Sequence, residues 1–385
     1  MKVAGSWLAD PGFQALCAAL EAAGHRALAV GGAVRNVLLD QPVADVDIST
    51  DATPVVVGDI ARAAGFRVVP TGIDHGTVTV IAEGMPYEVT TFRRDVETDG
   101  RRAVVAFSTR IEDDARRRDL TMNALYADRS GTLVDPLDGL PDLLARRVRF
   151  VGEAEARIRE DYLRILRFFR FYAWYGDPDQ GPDAEGLAAC ALLAEGVAGL
   201  SRERIGAELK KLLAAADPAP AVACMAQAGV LAQALPGADA RALPILVHLE
   251  GGVSPRWLRR LAVLGGQDRA ERLRLSRAEA GDLAQLTEAA GSPLSPAALG
   301  WKLGRDLGAD AVLVRAALLE SQPAPDWQAE VARGAAASLP VTATDLMPGL
   351  QGAALGQRLK QIESVWLGSD LRATRAALLN APAAD

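Results

Sequence analysis

At 385 residues, with 50% hydrophobic and 24% charged side chains, the chain has the composition of a soluble globular protein of two or three domains. A net charge of −7 argues mildly against nucleic acid, although arginines cluster at Arg93-Arg94, Arg101-Arg102, Arg116 to Arg118, Arg146-Arg147-Arg149 and Arg157 to Arg170, and binding follows the local field. No uninterrupted apolar run is long enough to cross a bilayer, the start MKVAGSWLADPGF is too polar for a secretory signal, and three cysteines and three histidines (His25, His75, His248) offer no zinc-site spacing. Cys17, Cys190 and Cys224 sit in alanine- and leucine-rich contexts and read as buried free thiols without disulfide partners, in a reducing, cytoplasmic setting.

In chain order, residues 11–24 read as an amphipathic helix ending at Gly24. Ala27 to Val30 is a short apolar strand running into Gly31-Gly32, a pair that permits a tight turn and close approach of backbone N–H groups to a ligand. Ala33 to Leu39 has helical composition, so the turn opens onto a helix N-terminus, a natural place for phosphate. After Asp40-Gln41-Pro42, Val43 to Ile48 reads as a second strand, with Asp45 and Asp47 on one face about 7 Å apart. Adjacent carboxylates repel unless a cation lies between them, and Mg²⁺ beside a phosphate-binding turn is the simplest choice.

Thr53-Pro54 is a helix start, and that helix ends at Gly65. Phe66 to Val69 is a strand, and Thr77 to Ala82 and Tyr87 to Phe92 form a hairpin around Glu83-Gly84-Met85-Pro86. Glu88 shares a face with Thr90, and a third carboxylate beside Asp45 and Asp47 would complete a metal and general-base cluster. Residues 94–110 read as a charged surface loop. Next comes Arg116-Arg117-Arg118-Asp119, followed by Asn123-Ala124-Leu125; arginine forks suit triphosphate oxygens, and a carboxylate can hold a ribose hydroxyl. Arg157 to Gly176 reads as one helix with an aromatic and aliphatic face, i,i+4 pairs Arg157/Asp161 and Glu160/Arg164, and a polar stripe of Asp161, Arg164 and Arg167. Ser201 caps a further helix carrying Glu203, Arg204 and Glu208. From about Asp217 the chain is alanine- and leucine-rich, with helices expected at Trp257 to Leu264, Ala278 to Ala290, Ala311 to Glu320 and Leu355 to Trp366.

The run Gly31-Gly32-Ala33-Val34-Arg35, followed by Asp45-Val46-Asp47, resembles the signature of the polymerase-β-like nucleotidyltransferase superfamily, in its class II branch of CCA-adding tRNA nucleotidyltransferases and bacterial poly(A) polymerases. Further segments match in order: Glu88 to Arg93, Arg117-Arg118-Asp119 with Asn123, the linker Asp135 to Leu143, Glu160-Asp161-x-x-Arg164, and Glu203-Arg204 with Glu208. Asn36 departs from the pattern, since many members carry Asp there, and it is given no role as a metal ligand. The resemblance implies an α/β head (a mixed sheet with flanking helices) over residues 1–150, a helical base-reading neck over 151–216, and a helical body and tail over 217–385 that bind tRNA, with Arg259, Arg260, Arg358 and Lys360 as candidates.

By the same resemblance, Asp45 and Asp47 hold two Mg²⁺ ions, and Glu88 deprotonates the attacking hydroxyl or supports a metal. Gly31, Gly32, Arg35, Arg117, Arg118, Asp119 and Asn123 contact the nucleotide. Asp161 and Arg164, with Arg167 on the same stripe, read the base, and Glu203, Arg204 and Glu208 brace the reading helix. A carboxylate facing an amino group and an arginine facing the adjacent ring position accept cytosine and adenine alike. Uracil and guanine present the reverse pattern, at a cost of about 1–3 kcal/mol for each wrong pairing. The implied activity is template-independent addition of C, C and A from CTP and ATP. A loop at 94–110 favours the full reaction, and Pro70 to Val78 leans away from poly(A) polymerase. With His248 alone in the second half, a His/Asp phosphohydrolase domain is not expected. The alternatives are a poly(A) polymerase, a partial CC- or A-adding enzyme, and an inactive RNA-binding protein on this scaffold.

Overall fold

The computed structural model describes residues 1–73, 76–99 and 102–382. The chain divides into two units, Met1–Leu200 with Gln227–Gln233, and Ser201–Ala226 with Ala234–Asp385. In the first unit come α1 (Pro11–Ala22), β1 (Ala27–Val30), α2 (Gly32–Leu38), β2 (Asp47–Thr50), α3 (Pro54–Ala63), β3 (Arg67–Gly72), β4 (Thr77–Ala82) and β5 (Met85–Thr91). They are followed by β6 (Arg93–Asp99), β7 (Arg102–Phe107), α4 (Ile111–Arg116), β8 (Tyr126–Ala127), β9 (Leu133–Val134), α5 (Leu140–Leu144), α6 (Ala154–Glu160), α7 (Leu163–Tyr175) and α8 (Ala184–Leu192).

Seven strands make one mixed sheet, in the order β3-β4-β5-β2-β1-β8-β9. Every pairing in it is antiparallel except β2 with β5, which run parallel, with Ile48 opposite Val89 and Thr50 opposite Thr91. The four residues of β1 are all buried, as a central strand covered on both faces requires. Leu28 and Val30 pack with Phe92, Ile111, Ala115, Ala124 and Tyr126. Helix α1 packs on α3, β1 and β4. It starts at Asp10, whose carboxylate accepts from the Phe13 N–H at 3.0 Å, with Pro11 at the first helical position. The β4–β5 hairpin turns on Glu83-Gly84 alone, both at positive φ (50° and 80°), the backbone a two-residue turn needs.

Three expectations are corrected. Asp45 is not on a strand: β2 begins at Asp47, and residues 41–46 have no regular secondary structure. Arg157 to Gly176 is not one helix, because Asp161 is extended (φ −158°, ψ 107°) and ends α6 before α7 begins. The 94–110 segment is largely an antiparallel pair, β6 with β7, and its Gly100 and Arg101 lie outside the described residues.

The second unit is helical: α9 (Arg202–Leu213), α10 (Ala219–Gln227), α11 (Val230–Ala234), α12 (Leu243–Glu250), α13 (Trp257–Leu264), α14 (Arg269–Arg272), α15 (Arg277–Gly291), α16 (Pro296–Leu318), α17 (Trp327–Ala336), α18 (Ala343–Leu346), α19 (Gly352–Gly368) and α20 (Arg375–Leu379). Of these, Gln227 and residues 230–233 group with the first unit. Helix α16 breaks at Gly304, whose φ is +76°. Val341, Ile362, Trp366 and Leu378 form an apolar cluster with Trp301 against it. Among the described residues no helix is long and apolar enough to cross a membrane. The cysteines are free, with Cys17 and Cys190 buried and Cys224 only half-buried.

Candidate active site

The turn after β1 carries the first of the candidate site residues. Gly31 has φ 65° and ψ −111°, a conformation strained for any residue with a side chain, and an added Cβ would lie 3.5 Å from the Arg118 guanidinium. Its N–H donates to the Leu125 carbonyl at 3.0 Å, fixing the turn before α2 starts at Gly32.

Beside this turn, the parallel β2–β5 register places Asp47 next to Glu88, one step before the Ile48–Val89 pair. Parallel neighbours in register point to the same face, so both carboxylates open on one cleft of about 780 Å³, lined also by Asp45, Thr79 and Tyr87. The Asp47 carboxyl is raised above its ordinary range, first by desolvation in the cleft and then by the charge of Glu88; Arg118 opposes the shift and Asp45 adds to it. Among the described residues no three His, Cys, Asp or Glu side chains converge into a ready metal cluster.

Across the turn lies a dense arginine–carboxylate network. Asp114 is fully buried and accepts from Arg117 Nε at 2.8 Å, Arg118 Nη2 at 3.0 Å and the Tyr126 hydroxyl at 2.8 Å. Burial alone would raise its pKa, but the two guanidinium groups and the phenol outweigh that and hold it below the usual carboxylate range. Arg118 also reaches Ser49 Oγ at 3.3 Å, on the strand that carries Asp47. Sequence reasoning missed Asp114, Ser49 and Tyr126. The i−3 and i−4 spacing of Asp114 from Arg117 and Arg118 on a helix was the available signal.

A second chain of bonds runs through the Arg-Arg-Asp motif. Arg35 Nη1 donates to Asn123 Oδ1 at 2.5 Å, Asn123 Nδ2 donates to Asp119 Oδ1 at 2.9 Å, and Arg167 Nε donates to Asp119 Oδ2 at 2.6 Å. Burial would raise Asp119, but Arg167, Asn123 and the Leu120 N–H lower it to about 2. Arg35 is buried, donates to the Tyr175 hydroxyl at 2.8 Å, and lies 4.2 Å from the centre of that ring. Tyr175 was not foreseen; it lies on the aromatic face of α7.

The base-reading candidates stand at the helix break. Asp161 Oδ1 accepts the Leu163 N–H at 3.1 Å, starting α7. Arg164 Nη1 donates to Glu160 Oε2 at 2.5 Å and to the Arg157 carbonyl at 2.9 Å, and Nη2 lies 3.4 Å from the Arg117 carbonyl. Arg157 donates to Glu160 at 2.7 Å and to the Arg118 carbonyl at 3.1 Å. Gly31, Gly32, Arg35, Asp45, Asp47, Glu88, Arg117, Arg118, Asp119, Asn123, Asp161, Arg164 and Arg167 all lie in the first unit, with Asp45, Asp47 and Glu88 on one cleft and Arg35, Asp119, Asn123 and Arg167 in one bonded chain. Glu203, Arg204 and Glu208 lie on α9 of the second unit, where Glu203 pairs with Arg274 at 3.3 Å and Glu208 is buried.

Arg259 and Arg260, expected at a tRNA surface, are instead 1% and 0% exposed. Arg259 binds Glu250 at 2.7 Å and Asp310 at 2.9 Å, and Arg260 binds Glu250 at 2.7 Å and the Leu213 carbonyl at 2.7 Å. A guanidinium offers five donors, and these two spend them on closing a buried network within the second unit. Arg358 is half-buried and turned toward the carbonyls of Leu379 (3.4 Å) and Pro382 (3.2 Å), while Lys360 is exposed.

Glycine turn, carboxylate cleft and arginine network together define a nucleotidyltransferase head. The family described as the poly A polymerase head domain matches residues 27–149, and that described as the probable RNA and SrmB-binding site of polymerase A matches residues 182–241. The chain is 48% identical over 190 residues to mouse mitochondrial CCA tRNA nucleotidyltransferase 1, covering 49% of this chain and 44% of that one. It is 42% identical over 216 residues to the CCA-adding enzyme of Geobacillus thermodenitrificans, covering 56% and 52%. These matches span about half the length of the curated relatives. The crystal structure of the Bacillus stearothermophilus CCA-adding enzyme in complex with CTP superposes with a TM-score of 0.73 at 30% identity, covering 94% of each chain. The chain belongs to the family of CCA-adding tRNA nucleotidyltransferases and bacterial poly(A) polymerases.

Proposed function

We propose that this protein extends the 3′ end of tRNA with C, C and A, using CTP and ATP and releasing pyrophosphate. The observation that carries the reading is the docking of Arg164 beside the Arg117 carbonyl, with Asp161 at the preceding break. In this reading Asp161 and Arg164 are the base-selecting carboxylate and guanidinium, and the contact of Arg164 with the arginine motif supports selection by the protein without a nucleic-acid template. The likeness to the CTP-bound relative over nearly the whole chain supports the same substrate class.

In this reading the primer 3′-oxygen bonds to the α-phosphorus as the bond to pyrophosphate breaks. Glu88 takes the hydroxyl proton, while Arg118 and Arg117 face the triphosphate. The donor set suits Mg²⁺ in kind: Asp45, Asp47 and Glu88 are hard oxygen ligands on one cleft, and a cation there would offset the desolvation and the Glu88 charge that raise Asp47. When bound to Asp45 and Asp47, Mg²⁺ supplies Lewis-acid stabilisation of charge on the reacting oxygens. Asp119 and Asn123 are spoken for by Arg167 and Arg35, so they act by holding those arginines as much as by touching the nucleotide.

We read residues 1–150 as head, 151–216 as neck and 217–385 as body and tail, and assign the protein to a reducing, cytoplasmic compartment on its free thiols. Exposed Lys360 is retained as a tRNA contact. Part of the segment set against poly(A) polymerase, Asp74-His75, lies outside the described residues. The deciding experiment supplies Mg²⁺ and tRNA lacking its CCA end with CTP and ATP, singly and together, and resolves products to one nucleotide. Two additions with CTP, and three followed by a stop with both, support the proposal. Long adenosine tails, a stop after CC with ATP present, or no product overturn it.

A further inference from the structure

We propose that Asn36 is a positioning residue that fixes the loop carrying Asp45; the inference rests on the reading of Asp45 as a cation ligand. Residues 41–46 have no regular secondary structure, and β2 begins only at Asp47, so the sheet does not set the position of Asp45. Asn36 fastens that loop three residues upstream. Its Nδ2 donates to the Pro42 carbonyl at 2.7 Å, and its own backbone carbonyl accepts the Gln41 N–H at 2.7 Å. Its Oδ1 accepts from Arg35 Nη2 at 2.9 Å and Nε at 3.2 Å, and from the Tyr175 hydroxyl at 3.3 Å. Arg35 is in turn held by Asn123 and Tyr175. The amide therefore joins the cation loop to the same buried network that anchors α7.

The chemistry distinguishes an amide from a carboxylate at this position. A carboxylate would keep the acceptor side toward Arg35 and Tyr175. It has no N–H for the Pro42 carbonyl and would set two oxygen acceptors against each other. In this chain the donor half of Asn36 holds the loop, and the acceptor half holds Arg35.

The test compares the wild type with Asn36→Asp, which keeps the acceptor, and Asn36→Ala, which loses both halves. Hydrogen exchange of residues 39–46 and Mn²⁺ binding are measured on full-length protein, with Asp45→Ala as the reference for cation binding. Both Asn36 variants are expected to exchange this segment about fivefold faster and to bind Mn²⁺ about three- to tenfold more weakly, with the remaining exchange pattern unchanged. If Asn36→Asp keeps wild-type exchange and wild-type Mn²⁺ affinity, the inference fails, even where Asn36→Ala unfolds. If the wild type binds Mn²⁺ no better than Asp45→Ala, the cation reading fails separately, and the exchange data still judge whether Asn36 holds the loop.

Discussion

Arg167 Nε on α7 stands 2.6 Å from Asp119 Oδ2, so the helix that follows the Asp161 break is tied directly to the Arg-Arg-Asp motif. Asp119 is nearly buried, and its pKa is lowered from 3.8 to about 2. A group depressed on folding adds stability that is present in full above its unfolded value and is lost as pH falls through its folded one. The contribution is therefore complete above about pH 4 and disappears toward about pH 2, and it amounts to about 2 kcal/mol. Urea unfolding across this range should show that loss in the wild type and a flatter profile in Asp119→Asn. Equal slopes would show that the pair does not report on folding.

Asp47 shares its cleft with Glu88 and Asp45. Asp47→Ala and Asp45→Ala should each reduce nucleotide incorporation by at least about a hundredfold while leaving tRNA affinity within about twofold, since the lost charge acts on the reacting oxygens and not on the RNA backbone. Turnover and filter binding on the same preparations decide the matter. Retained turnover would refute the metal assignment.

Asp161 sets the base edge in the proposed reading. Asp161→Ala should relax discrimination against UTP and GTP by about five- to a hundredfold, the equivalent of about 1–3 kcal/mol, and weaken tRNA binding less. Single-turnover rates with each of the four nucleotides give the ratio. The variant also removes the acceptor for the Leu163 N–H, so its melting temperature should be measured alongside.

Arg259 and Arg260 are buried with Glu250 and Asp310. Replacing either with alanine takes a fully buried guanidinium out of a network in which Glu250 keeps the other arginine and Asp310 keeps Arg256, and the vacated acceptors and lost packing should still cost about 3 kcal/mol. Affinity for tRNA in the fraction that stays folded should be unchanged. A variant of wild-type stability with weakened tRNA binding would restore the surface role the structure removes.

The local patterns of the sequence predicted what local physics decides. Alternation and apolar runs placed β1, β4 and β5, and Gly31 marked its turn because only glycine adopts that backbone freely. What escaped was set by distant partners. Asp114 looks like one more acid in a charged run until two arginines and Tyr126 close around it. Arg259 and Arg260 look like a basic surface, and only the positions of Glu250 and Asp310 bury them. The Asp161 break was hidden because its flanks have good helical composition and the side chain itself supplies the new helix start.

The parallel pairing of β2 with β5 also dictates when this site can exist. A parallel neighbour cannot be reached by a tight turn. Everything from Asp51 to Gly84, including α3 and the strands β3 and β4, intervenes between β2 and β5. Asp47 and Glu88 become neighbours only after that whole excursion has closed, an entropic toll that antiparallel hairpins such as β4–β5 avoid. On a ribosome, the chain must emerge beyond Thr91 before the carboxylate cleft can assemble, and beyond Leu125 before the Gly31 N–H finds the carbonyl that holds the glycine turn.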